Sequence, residues 1–270
     1  MHVVVCVKQV PDTANVRINP ETNTLMREGV ESIVNPFDEY ALEQGLMLKD
    51  RHGAKLTVVS MGPPQATAVL RDSLARGADE AVLVSSRAFG GADTLATSYT
   101  IAQAIKKACD GSTPDLVLFG KQAIDGDTAQ VGPGVSEFLG VPLVTYVRKI
   151  DVSPVEGGAR FSVESAMDDG VATIEGSLPA VMTVLKEADA PRYAPLSGAI
   201  RAANADVKVL NEKDIEANPS EIGLKGSPTK VVTIFPPPIK GGGEKIAATG
   251  ADAAKAIVAF LERKGLVKNG

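Results

Sequence analysis

The first 150 residues alternate short apolar runs with helical patterns, and glycine or proline closes most of them. Val3 to Val7 is near-continuously apolar, the pattern of a strand covered on both faces. Leu56 to Ser60, Ala81 to Val84 and Leu116 to Phe119 read as the strands that follow. Asn35-Pro36 opens a helix through Arg51: Asn suits the N-cap, Pro suits the first helical position, and Ala41, Leu42, Gly45, Leu46 and Leu48 form an apolar stripe. Gly53 ends it. Further helices read from Gln65 to Arg76, stopped by Gly77, and from Thr94 to Lys107, with Val135 to Leu139 as the start of a fourth. This repetition predicts an α/β fold with a doubly wound, Rossmann-like parallel sheet that binds ligands at the carboxyl ends of its strands.

Two departures break the rhythm. Val16 to Arg27 reads as a β-hairpin around Pro20-Glu21-Thr22-Asn23, inserted between the first strand and the first helix. After residue 150, Arg160 to Ser165, Val171 to Glu175 and Ala180 to Leu185 read as antiparallel strands, with Asp168-Asp169-Gly170 as a turn. Ala188 to Ser227 is polar and weakly periodic. Pro236 to Pro238 and Gly241 to Gly243 form a stiff, then flexible linker, and Glu244 to Lys264 is an amphipathic helix carrying Ala248, Ala254, Ile257, Val258 and Leu261. The expected organisation is an α/β domain over 1–187 and a C-terminal arm over 188–270. That arm either folds back on the domain or packs on a partner chain.

Composition excludes several function classes. With a net charge of −5 and no stretch concentrating Lys and Arg, nucleic acid is not an expected partner. Two cysteines, Cys6 and Cys109, lie far apart, and the histidines number two, so a disulfide framework, a histidine-rich metal site and a His-based triad have little material. The chain opens directly in a strand and has no apolar run of membrane-spanning length, so a cytoplasmic location without a signal peptide is expected.

Four segments converge at one end of such a sheet: Cys6 to Pro11, Ser60 to Pro63, Ser85 to Ser98 and Gly120 to Val131. The last reads GKQAIDGDTAQV between a strand and a helix, where backbone N–H groups can meet a phosphate. Asp125, Asp127, Thr128 and Gln130 add donors and acceptors for ribose hydroxyls or phosphate oxygens. The segment reads equally as an ordinary βα loop with a helix cap, and it is neither GxGxxG nor a Walker loop. Asp93 or Thr94 caps the next-nearest helix, and Thr97 and Ser98 either reach a ligand or simply face solvent. Lys8 and Lys121 bring positive charge or are solvated. Arg192-Tyr193 forms a recognition loop or an exposed turn. No nucleophile–base pair is present, which points to a nucleotide-cofactor binder.

At these residues the chain resembles the β subunit of electron transfer flavoproteins, from Val3 to about Arg201. The likeness rests on VVVCVKQVPD (Val3 to Asp12), NPFDEYALE (Asn35 to Glu43), SMGPP (Ser60 to Pro64), GKQAIDGDTAQ (Gly120 to Gln130), and LPAVMTV with PRYAPL (Leu178 to Leu196). The resemblance implies an αβ heterodimer that passes electrons through FAD, with a nucleotide cleft in this subunit. In respiratory members the cleft holds structural AMP. In the bifurcating and FixA group it holds a second FAD that takes a hydride from NADH. FGGADTLATS (Phe89 to Ser98) and AIDGDTAQVGP resemble the second group's versions. The implied cofactor-binding set is Cys6, Asn35, Pro36, Phe37, Asp38, Met61, Asp93, Thr94, Thr97, Gly120, Lys121, Gln122, Ala123, Ile124, Asp125, Gly126, Asp127, Thr128, Ala129, Gln130 and Val131. Arg192, Tyr193 and Leu196 match the family's docking segment for acyl-CoA dehydrogenase-type flavoproteins. Implied acceptors are ferredoxin, flavodoxin or a quinone oxidoreductase, and no metal is implied.

Overall fold

The computed structural model describes residues 1–12, 17–18, 25–26, 32–155, 158–230, 232, 245 and 247–267. The core strands of its nine-stranded sheet are β1 (His2–Cys6), β6 (Lys55–Met61), β7 (Glu80–Val84) and β8 (Leu116–Gly120), all parallel and in the spatial order β8-β1-β6-β7. Their buried, near-continuous apolar runs are what a sheet covered on both faces requires. On one face α1 (Pro36–His52) and α2 (Thr67–Arg76) bury Leu42, Leu46 and Leu70 against Val3, Val5, Leu56 and Leu118. On the other, α3 (Thr94–Ala108) and α4 (Val131–Leu139) bury Ile101, Ile105 and Val135 against Val4, Val59, Val117 and Phe119. The chain moves from β1 outward through β6 and β7, then returns to the opposite side of β1 for β8. The crevice outside the carboxyl ends of β1 and β8 is therefore the topological switch point, where open α/β sheets bind ligands.

The predicted helices and core strands are present, with two starts moved: the last helix, read from Glu244, begins at Gly250, and the fourth begins earlier than read. Val135 to Leu139 is the end of α4, not its start; the helix begins at Val131. Pro133 sits within its first turn, where its missing N–H would have had no helical partner.

The expectation of three antiparallel strands after residue 150 is corrected at the third. Only β10 (Gly158–Met167) and β11 (Gly170–Ser177) pair antiparallel around the Asp168-Asp169 turn. Ala180 to Leu185 supplies β12 (Ala180–Val184), which runs parallel between β8 and β9 (Leu143–Val155) and is buried throughout. AVMTV is the signature of a central strand covered on both faces, masked by its place directly after a hairpin. The 13-residue β9 pairs parallel with β12 at its start and antiparallel with β10 beyond. Arg148, Lys149 and Asp151 on its outward face hide it from a search for apolar runs.

Between β1 and α1 the chain makes two small antiparallel ladders. One joins β2 (Gln9–Pro11) to β5 (Ser32–Val34), and the other joins β3 (Arg17–Ile18) to β4 (Leu25–Met26). The second fits the expected hairpin, whose turn at Pro20 to Asn23 lies outside the described residues. Residues 188–230 fold back on the domain. There α5 (Leu196–Asn204) packs on α2, and β13 (Lys208–Leu210) extends the sheet beyond β7. The sequence places the boundary after residue 187, whereas compactness divides the chain into Met1–Val232 and Thr233–Gly270. The linker at Pro236 to Gly243 lies outside the described residues. In the second unit α6 (Gly250–Arg263) buries no residue, and Ile257 and Val258 are exposed. Among the described residues no helix is long and apolar enough to cross a membrane.

Candidate functional site

Two residues one helical turn apart tie the switch point together. Asn35 and Asp38 sit at the start of α1 and are 1 % and 6 % exposed. The Asp38 carboxylate accepts the Lys8 N–H at 2.8 Å and the Gly120 N–H at 3.2 Å, joining the carboxyl ends of β1 and β8. Asn35 donates its N–H to the Lys8 carbonyl at 2.8 Å. Its side chain donates to the Gln122 carbonyl at 2.9 Å and accepts the Ile124 N–H at 3.1 Å. Gly120 leaves room for this clamp, because a Cβ there would collide with the Asp38 carboxylate and the Phe37 backbone. Burial pushes the Asp38 carboxyl up to about 7, against the opposing pull of Asn35, the two amides and the Lys8 charge.

The loop that follows stands out from this clamp. Asp125, Gly126, Asp127 and Thr128 are exposed, and the non-glycine residues Asp127 and Ala129 both hold φ near +54°. Left-handed backbone of this kind costs about 1–2 kcal/mol per residue and clusters at ligand sites. The Lys8 ammonium grips the Asp125 carboxylate at 2.7 and 2.8 Å, and the Gln122 amide donates to the Asp127 carboxylate. Asp127 is not the helix cap: the N-cap of α4 is Gln130, whose side chain makes no capping bond. No acidic residue stands in the first turn of α4; with Pro133 lacking an N–H and the Gly134 N–H bonded to the Gln130 carbonyl, the first-turn amides that could meet an anion are those of Val131 and Gly132. Gly132 and Gly134 let this helix start lie directly against Thr183 and Ser98.

The other helix N-terminus at this end is closed. Asp93 caps α3 by accepting the Leu95 and Ala96 N–H groups, and its second oxygen is taken by Thr229. Burial raises its carboxyl, but the hydrogen bonds outweigh that and hold it below the usual range. Thr94 donates its hydroxyl to Gln130 Oε1 at 3.0 Å, joining the two helix starts. Thr97 is half-buried, whereas Ser98 is buried and its hydroxyl bonds the Thr94 and Val131 carbonyls. Neither of the two fates read for Ser98, ligand contact or solvent, therefore applies. Cys6 is buried in the core behind the site, and burial, with the Asp38 charge, pushes its thiol well up. Met61 ends β6 half-buried against that core.

The segment near residue 192 divides by role. The Arg192 guanidinium is held by Glu43 at 2.8 Å and Asp50 at 2.8 Å, and its N–H by Glu43 at 2.9 Å. Those partners push its pKa upward. Tyr193 and Leu196 beside it stand 96 % and 78 % exposed.

Phe37 and Lys121 stand in the sequence-derived set, but their partners Lys186 and Tyr146, which make an aromatic and cationic rim, are missed there. Lys186 lies 4.6 Å from the Phe37 ring, and Lys121 lies 5.3 Å from the ring of Tyr146. Tyr146 itself holds φ +56° at the bulge where β9 meets β12. Neither pairing leaves a periodic signal in the sequence.

Residues 22–215 match the family model described as the electron transfer flavoprotein domain. The chain is 50 % identical over 264 residues to the electron transfer flavoprotein subunit beta of Clostridium acetobutylicum, covering 98 % of this chain and 99 % of the relative. It is 47 % identical over 269 residues to subunit CarD of the caffeyl-CoA reductase-Etf complex of Acetobacterium woodii, covering 99 % and 100 %. It is 48 % identical over 239 residues to protein FixA of Azotobacter vinelandii, covering 88 % and 84 %.

Proposed function

This chain belongs to the beta-subunit and FixA branch of the electron transfer flavoprotein family, and from that premise we propose that it holds an adenine-nucleotide cofactor, FAD, at the β1/β8 switch point. The observation that carries the reading is the pairing of a clamped, strained, exposed loop with the open N-terminus of α4. The residues present fit the group. The α4 amides suit a phosphate, Thr128 and Gln130 suit ribose or phosphate oxygens, and Gly120 keeps the backbone against the clamp.

Bound FAD would supply the one- and two-electron chemistry, and the chain's own residues bind, orient and shield it. That division of labour accounts for a site without an acid–base pair. Asn35 and Asp38 fix the loop, Lys8 holds Asp125, and the Lys121 and Lys186 ammonium groups bring positive charge to the rim. In the proposed complex NADH is the donor and the FAD of a paired alpha subunit is the next stop, in flavin-based electron bifurcation in the cytoplasm. The bare apolar face of α6 suits contact with that subunit. Tyr193 and Leu196 suit docking of an acyl-CoA dehydrogenase-type flavoprotein, with Arg192 holding the segment in place. Ferredoxin, flavodoxin or a quinone oxidoreductase is the proposed final acceptor.

One observation favours AMP instead. Asp93 and Ser98 spend their polar atoms within the chain, so the start of α3 offers a flavin ring little beyond Thr94 and Thr97. Purifying the αβ complex, releasing its cofactors and counting them separates the readings. Two FAD per heterodimer are expected. One FAD with one AMP would establish the carrier reading, and the absence of both nucleotides would contradict each.

A further inference from the structure

Asp93 spends every polar atom it has on the chain itself, and it does so in two directions. Toward α3, its Oδ1 accepts the N–H groups of Leu95 at 3.0 Å and Ala96 at 3.2 Å, and its carbonyl accepts the Thr97 N–H at 3.0 Å. Away from α3, its Oδ2 accepts the Thr229 N–H at 3.0 Å and the Thr229 hydroxyl at 2.8 Å. Its own N–H donates to Ser227 Oγ at 2.8 Å, and that hydroxyl donates to the Gly223 carbonyl at 2.7 Å. The seat is close-fitting. A Cβ on Gly91 would strike the Leu224 side chain, and one on Gly223, at φ +55°, would strike the Ala88 carbonyl. Thr229 also lies just before Val232, where the compact unit ends. The next residue along α3, Thr94, reaches the candidate loop through its bond to Gln130.

Thr229, Asp93, Thr94 and Gln130 thus form an unbroken chain of contacts from the exit segment of the domain to the nucleotide loop. We propose that Asp93 is a positioning residue that couples seating of the exit segment, residues 227–229, to nucleotide occupancy of the loop at residues 120–131. The proposal rests on the nucleotide reading above. Its physical basis is that one carboxylate uses separate oxygens for cap and latch, so releasing the latch frees the α3 start to shift relative to Gln130. Coupling between two sites is reciprocal: whatever affinity the latch lends the nucleotide, the nucleotide returns to the latch. Couplings of this kind amount to about 5–150-fold in affinity.

The chemistry offers a way to cut one direction alone. Asp93→Asn keeps an oxygen to cap α3 but sets an amide NH2 against the Thr229 N–H, donor to donor. Ser227→Ala with Thr229→Val weakens the latch from its other side without touching the cap. The experiment is amide hydrogen exchange on the full chain in its αβ complex, stripped and then reloaded with AMP or FAD, alongside affinity measurements. Nucleotide is expected to slow exchange at both 120–131 and 227–229. Both variants are expected to bind it at least about fivefold more weakly, with the Leu95 and Ala96 amides still protected. Slowing at 120–131 alone, or unchanged affinity in the Ser227→Ala/Thr229→Val variant, overturns the coupling while leaving the site intact. Slowing at neither segment overturns the site and the coupling together.

Discussion

Between about pH 4 and pH 8, Asp38→Asn should gain about 4 kcal/mol of stability relative to the wild-type chain. The Asp38 carboxyl rises from 3.8 to about 7 because burial outweighs its hydrogen bonds. A carboxyl raised by folding binds its proton more tightly in the folded state. Over the interval between those two values the folded chain therefore holds more protons than the unfolded one, and stability falls as pH rises through it. Below the interval both states are protonated and above it both are ionised, so the change is confined there. The asparagine side chain cannot titrate and lacks the slope, although its NH2 opposes one of the two amides and adds a pH-independent cost. Urea unfolding of both cofactor-stripped proteins at several pH values checks this. Parallel stability curves would mean that Asp38 ionises as an ordinary surface carboxyl and that its burial carries no electrostatic consequence.

Asn35→Ala should cost about 2–4 kcal/mol and loosen the candidate site in the same step. Its side chain serves the Gln122 carbonyl and the Ile124 N–H, backbone groups inside a loop that has no ladder of its own. Removing it orphans a donor and an acceptor together, and a part-buried orphan costs more than the net worth of the lost bond. The Asn35 N–H bond to Lys8 survives, so α1 itself stays formed. Unfolding measured with and without nucleotide should show the loss in both. A cost under about 0.5 kcal/mol, the range of ordinary surface substitutions, would show that water replaces the side chain and that the clamp is not structural.

The scaffold was largely legible in the residues; the clamp and the far half of the sheet were not. Asn35-Pro36, the stripe Ala41 to Leu48 and the closing Gly53 describe α1 locally, because caps and periodicity are local properties. β9 is obscured because the exposed Arg148, Lys149 and Asp151 on its outward face break its apolar run, and β12 is misdirected because a strand's partner depends on topology rather than composition. Asp38 and Asn35 reach the site through a family likeness, as ligand contacts. Their work as a buried clamp on residues about 80 positions away has no periodic trace. A carboxylate set just before the apolar stripe of α1 is the one visible hint. The same holds for Arg192, whose partner Glu43 lies 149 residues earlier and, buried beside Leu42, looks like any polar interruption of a helix. Asp93 is legible as a cap, since capping is local, but its latch to Thr229 is not.

If a nucleotide rests against the loop between β8 and α4, Thr128 is the residue that should report it. Thr128 is exposed, and among the described residues its hydroxyl makes no hydrogen bond within the chain, so Thr128→Val removes the hydroxyl while nearly keeping the shape. Thermal unfolding of the holo and cofactor-stripped complexes, wild type against Thr128→Val, separates ligand contact from structural role. The stripped proteins should unfold alike, while the holo variant should lose about 0.5–3 kcal/mol of cofactor binding, depending on whether the lost partner is charged. Equal losses in both forms, or no loss in either, would contradict the assignment and move the nucleotide away from this loop.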